Sequence, residues 1–116
     1  MPNIRLQRFE VAELQPDNAP AGNGTPAEAT GANGVVVFAD AGGTPGTVVL
    51  EYSRDNVNWE DYPIYSAATG DSISNTITEN LIVIGEVFDG QWYIRARIPE
   101  TWAGVGAPLV QVVFVR

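Results

Sequence analysis

Glu60 and Asp61 are the carboxylates whose types suggest acid–base work, and their spacing argues against it. Neighbours on a strand point to opposite faces, so the two cannot flank one reacting bond. Asp55, Asn58 and Asp61 offer oxygens around a single turn, the donor type that calcium prefers. Calcium takes about six to eight oxygens, usually from a denser acidic loop. Asp55 is better suited to capping its own turn through backbone N–H groups. Ser53, Ser66, Ser72 and Ser74 have no His or Lys to activate them, and no Gly-x-Ser-x-Gly elbow occurs. The glycines at Gly42 and Gly43, and at Gly22 and Gly24, precede no helical pattern, so they form no phosphate cradle. The expectation is a protein without catalytic, metal or cofactor residues, not an enzyme.

The missing residue types point the same way. The chain contains no His, no Cys and no Lys. It therefore has no side chain that ordinarily titrates near neutral pH, no thiol nucleophile, no disulfide and no Schiff-base amine. All six basic residues are Arg, against 14 acids, for a formal net charge of −8. Such a surface repels phosphate backbones and anionic membranes, so neither nucleic acid nor membrane is an expected partner. The acidity serves solubility or docking on a basic protein surface. The start of the chain has no apolar signal segment, and synthesis in the cytoplasm is expected.

Arg95 and Arg97 share a strand face and need a carboxylate, which Glu51 on a neighbouring strand can supply. Glu100 is a second acid that an Arg could reach across the sheet. The aromatics Trp59, Tyr62, Tyr65, Trp92, Tyr93 and Trp102 are of the type that stacks on sugars. Trp59 and Trp92 fall at an inward phase and read as core. Trp102 sits in a loop and reads as an exposed anchor.

The elements that would position these groups are strands. Length predicts one domain over 1–116, divided into an N-terminal strand plus arm over 1–34 and a sandwich core over 35–116. Residues 4–14 read as a first strand with imperfect alternation. Residues 15–34 are rich in Pro, Gly and Ala and read as a long irregular arm, either a mobile insertion or a segment that orders against a neighbour. Strands follow at 35–39, 47–53, 59–65 (interrupted at Pro63), 72–78, 81–88, 91–98 and 109–115. Within them Val48, Leu50 and Tyr52 share one face and Val49 and Glu51 the other, while Ile73, Ile77, Trp92, Ile94, Ala96 and Ile98 face inward. Asp55-Asn56 and Asp89-Gly90 mark turns, the latter a hairpin signal, and Gly85 marks a bulge or a close approach. About eight strands at this spacing predict an all-β, antiparallel β-sandwich, jelly-roll-like, with a long N-terminal arm. The last strand is apolar on both faces, and a sandwich buries only one, so the other needs cover from the arm or from another subunit.

The run from Leu50 to Trp59, Leu-Glu-Tyr-Ser-Arg-Asp-Asn-Val-Asn-Trp, resembles the Tyr-Ser-x-Asp-Gly-x-x-Trp hairpin of small tailed-phage virion proteins, with Asn56 in place of Gly. The run from Gly90 to Arg95 and the ending Leu109 to Arg116 are similar to later strands of the same proteins. The likeness spans 47–116. The Ser-x-Asp turn followed by Trp also resembles Asp-box hairpins of sialidases and discoidin-type glycan- or lipid-binding domains. The phage resemblance implies a capsid decoration or cement protein: a trimer on the outer surface of a virion that bridges subunits of the major capsid protein. Phe9, Arg95, Arg97, Trp102 and Phe114 are then candidate interface residues. The alternative is a carbohydrate-binding or adhesion module of a tail or fibre, which needs a coplanar exposed set such as Trp59, Tyr62 and Trp102.

Overall fold

A computed structural model describes residues 9–15, 22–23, 25–40, 48–78, 81–98 and 109–116. Among these, every regular element is a strand: β1 (Phe9–Gln15), β2 (Gly22–Asn23), β3 (Ala27–Glu28), β4 (Gly34–Asp40), β5 (Val48–Ser53), β6 (Glu60–Asp61), β7 (Ile64–Ser66), β8 (Ser72–Ile73), β9 (Thr76–Ile77), β10 (Leu81–Gly85), β11 (Tyr93–Ile98) and β12 (Leu109–Val115). The strands form two antiparallel sheets, as the alternation predicts. The first has the order β1-β12-β4-β10-β7-β8. The second is centred on β11 and β5, with β2 and β3 along the β11 edge and β6 and β9 along the β5 edge.

The core lies between the sheets and follows the period of two. Val35, Val37 and Ala39 of β4, Val83 of β10, and Val110, Val112 and Phe114 of β12 point in from one sheet. Val48 and Leu50 of β5 and Ile94 and Ala96 of β11 meet them from the other, with Tyr52 packed against this core. Trp92 is fully buried, and Phe88 meets its indole edge-on at 5.0 Å between centroids. Tyr62, Phe88 and Tyr52 extend the cluster, with Phe88 stacked on Tyr52 at 4.5 Å.

The expected eight strands become twelve among the described residues, for identifiable reasons. Residues 59–65 divide at Tyr62-Pro63, and the chain steps from the second sheet (β6) to the first (β7), because Pro63 cannot donate to a ladder. Residues 72–78 divide as well: β8 belongs to the first sheet and β9 to the second. Asn75 makes this crossing, its Nδ2 donating to the Leu50 carbonyl at 2.7 Å while its own carbonyl accepts from Leu50 N. Ile73 and Ile77 still face inward as expected.

Two further expectations are corrected. Asp89-Gly90 makes a turn, with Gly90 at φ 79°, but no hairpin. The flanking strands β10 and β11 lie in different sheets, so the turn carries the chain across the sandwich. The segment 15–34 is not wholly an irregular arm. Its described part supplies β2 and β3 as an edge on β11, and Ala29 and Ala32 enter the core. Ala29 N donates to the Trp92 carbonyl at 2.9 Å, so small side chains here allow close backbone docking. Residues 16–21 and 24 of that segment, and 4–8 of the expected first strand, lie outside the described residues.

Candidate functional site

The outer face of the second sheet is polar. Arg95 faces Glu51 across the β11–β5 ladder, and Arg97 is one alternate position along. Both guanidinium groups reach the same oxygen: Arg95 donates to Glu51 Oε1 from Nε and Nη2 at 3.0 Å each, and Arg97 from Nε at 3.3 Å. The Glu51 and Arg95 side chains are only 12% and 15% exposed, so water screens this pair weakly. Trp59 lies over Arg95, with the guanidinium carbon 4.1 Å from the ring centroid. That contact corrects the reading of Trp59 as core. It is half-buried on the outer face of the second sheet, because the chain bends at the Asp55 turn before β6 begins. Arg95 and Arg97 thus find their partner inside their own sheet.

The turn after β5 is closed by one carboxylate. Asp55 Oδ1 accepts from Val57 N (2.9 Å), Asn58 N (2.8 Å) and Ser53 Oγ (2.8 Å), and Oδ2 accepts from Asn58 Nδ2 (2.7 Å). Asn56 takes φ 62°, the left-handed conformation that Asn tolerates. The backbone N–H groups of Asn58 and Val57 hold the Asp55 carboxyl well below the usual carboxylate range. Asp61, the third oxygen donor of the calcium idea, instead accepts from Asn75 Nδ2 at 3.3 Å. Among the described residues no three of His, Cys, Asp and Glu gather as a metal cluster. Glu60 and Asp61 part as their adjacency requires, Glu60 accepting from Tyr52 Oη at 2.9 Å.

Glu86 organises the other end of β10. Tyr62 Oη donates to its carbonyl at 2.6 Å, and Tyr65 Oη donates to its Oε2 at 2.9 Å. Burial, then the Glu86 charge, raises the Tyr62 phenol far above its ordinary value. Tyr65 is raised by its hydrogen bond to Glu86, and Tyr52 by its hydrogen bond to Glu60. These phenols stay neutral donors near pH 7 and are not poised as bases. Tyr62 is 1% exposed, so it cannot belong to a sugar-stacking platform with Trp59. Gly85 makes the close approach that its position in the apolar run suggests: a Cβ there would lie 2.1 Å from Tyr62 Oη.

On the outer face of the first sheet, the stretch over β12, β4 and β10 is largely apolar among the described residues. Phe38 of β4 is 42% exposed, and Ile82 and Ile84 of β10 are 48% and 45% exposed. Register sets them in two rows across three strands, Ile84–Val36–Val113 and Ile82–Phe38–Gln111. Val36 and Val113 are half-buried. At one end of the first row, Tyr65 of β7 is opposite Ile84. Sequence reasoning noticed the doubly apolar last strand but missed Phe38, Ile82 and Ile84. Their signal was the same one: Val-Val-Val-Phe-Ala and Leu-Ile-Val-Ile-Gly are apolar at both phases.

The candidate interface residues are scattered. Phe114 is fully buried, because it falls at the inward phase of β12, and it fills core rather than surface. Arg95 and Arg97 are held by Glu51. Phe9 opens β1 opposite Val115, and its side chain is outside the described residues, as is all of Trp102.

No protein-family model matches this sequence, and no curated protein matches it. The fold has a solved counterpart. The crystal structure of the SPBc2 prophage-derived protein YomS is similar over 100% of both chains, with a TM-score of 0.82 at 9% sequence identity. At that identity the likeness concerns the fold: the two-sheet arrangement is an established architecture reached by a very different sequence.

Proposed function

We propose that this chain is a structural part of a tailed-phage particle, a capsid decoration or cement protein. In this reading it sits on the outer capsid surface, bridges subunits of the major capsid protein and self-associates, with a trimer as the expected state. One observation carries the reading: three strands of the first sheet, β12, β4 and β10, have a largely apolar outer face in a chain whose charge is strongly acidic. A sandwich needs only its inner faces buried to fold, so an apolar exterior serves contacts outside the chain. The likeness to a prophage-derived protein and the hairpin resemblance over 50–59 support a phage setting. A particle repeats its subunits, so weak contacts made many times give firm attachment.

The test is co-sedimentation of the purified chain with expanded capsids of the phage that encodes it, alongside light scattering of the free chain. Saturable binding at a fixed ratio to coat subunits is expected. A chain that stays in the supernatant with every capsid form overturns the decoration role.

A further inference from the structure

We infer that the outer face of β12, β4 and β10 is the contact between copies of this chain. The inference deepens the reading above by naming the occupant of that face, and it stands or falls separately from capsid binding.

The argument for a second copy rests on charge. Across the three strands the outward positions whose burial is described are Val36, Phe38, Ile82, Ile84, Gln111, Val113 and Val115, all uncharged, while Asp40, at the same phase opposite Leu109, ends β4 at the rim. The outward positions of the β11–β5 ladder, by contrast, include Glu51, Arg95 and Arg97. Two chains of net charge −8 repel one another over most approaches. They meet at least electrostatic cost where both are neutral. A basic partner surface seated at its centre would lose the water around its charges, with carboxylates such as Glu86, bonded to Tyr65, only at the rim. Another copy's patch brings the same aliphatic and aromatic groups, needs no counter-charge and leaves none buried. Gln111, the polar side chain among these, is an amide that can both donate and accept.

Size sets the strength. Three strands about 4.8 Å apart and five residues long give a patch of roughly 300 Å². A standard stable interface buries about 800 Å² per partner. Association through this face is therefore weak and reversible in free solution, and a particle that holds copies side by side raises their effective concentration.

Sedimentation velocity from about 10 µM to about 1 mM, concentrations that span weak association, tests this on the whole chain. The sedimentation coefficient is expected to rise with concentration. Phe38→Arg and Ile84→Arg each place an unpaired charge in the patch and weaken association at least tenfold. Thr76→Arg, exposed on the other sheet, leaves it unchanged. Circular dichroism melts check that each variant folds, and Ile84→Thr serves as the milder substitution should an Arg variant not fold. A wild-type chain monomeric throughout the range overturns the inference, as do Arg variants that associate as wild type does. A chain that associates but ignores capsids keeps this inference and removes the decoration role. A chain that binds capsids yet never associates does the reverse.

Discussion

Glu51, Arg95, Arg97 and Trp59 finish the outside of one sheet, while Phe38, Ile82 and Ile84 finish the outside of the other. The first set is knit together, each group satisfied by a neighbour two residues or one strand away. The second set is bare, with three large apolar side chains between 42% and 48% exposed. Exposure of that kind leaves roughly 1 kcal/mol of burial per side chain unrealised in a lone chain. The polar face satisfies its own charges, and on the reading proposed above the apolar face continues into another copy of the chain. Both sheets are held from beneath by the shared core, and the second is tied on its exterior by charges as well.

The largest expected effect tests the hold from beneath, at Gly85. Its α-carbon faces the Tyr62 ring, and an added methyl would lie 2.1 Å from Tyr62 Oη, 2.5 Å from Cε2 and 2.6 Å from Cζ. Tyr62 is buried and donates to the Glu86 carbonyl, so it has little room to give. Gly85→Ala is expected to cost about 3 kcal/mol of unfolding free energy, read by urea titration. A cost below about 1 kcal/mol would mean the ring moves aside, and that the underside of the sheet is looser than its burial implies.

How much of this contrast the sequence disclosed depends on range. Period-two alternation placed Trp92, Ile94 and Ala96 inward and Arg95 and Arg97 outward, because each strand carries that information itself. The Glu51–Arg95 pair was also legible, since unlike charges at matching phase seek one another across a ladder. Sheet membership was not. Whether β8 and β9 belong together is decided by Asn75 bonding to Leu50, a contact 25 residues away in sequence, and nothing in 72–78 reports it. The arm misled for a related reason. Its Ala and Gly residues look unstructured until β11 supplies an edge and Trp92 a carbonyl to dock on. Trp59 misled because a turn resets phase. Counting alternation through Asp55 and Asn56 put it inside, while the observed loop delivers it over Arg95.

The polar face gives the next effect in size. Glu51→Gln keeps the shape but removes the charge that two guanidinium groups share, leaving Arg95, 15% exposed, without a counter-ion. The expected loss is about 1–2 kcal/mol, below that of a fully buried pair because Arg97 is 37% exposed. Adding Arg95→Gln to Glu51→Gln should recover part of the loss, and the double-mutant cycle measures how much. A strictly additive cycle would show that this face is merely solvated, and the contrast between the two sheets would shrink.

A smaller effect, dependent on pH, belongs to the turn that leads onto the polar face. Asp55 is held below its ordinary carboxylate range by N–H donors, so its folded form prefers the charge more than its unfolded form does. Its contribution is therefore complete above the unfolded value of about 4 and is lost as pH falls below that toward the folded value. Asp55→Asn should melt at a lower temperature than wild type at pH 7, with the gap closing as the buffer is taken from about pH 5 down to about pH 2. A gap that stays constant across that window would show that geometry, not charge, closes the turn.

The smallest effect is expected on the bare face, and it is the one that separates the two faces most cleanly. Ile82→Thr and Ile84→Thr keep β-branching, which suits a strand, while removing apolar surface from outward positions. In dilute solution each should change unfolding free energy by no more than about 0.5 kcal/mol, since little packing is lost. Ile84 is the immediate neighbour of Gly85, so two adjacent positions of one strand should differ several-fold in cost according to which side they face. Protein concentration then becomes the informative variable. If the face joins copies of the chain, wild type gains stability with concentration by mass action, and the threonine variants do not. Melts at two concentrations about a hundredfold apart would show wild type drawing away from the variants. Parallel shifts in wild type and variants would place the contact elsewhere and leave the apolar exterior of β4 and β10 without a role.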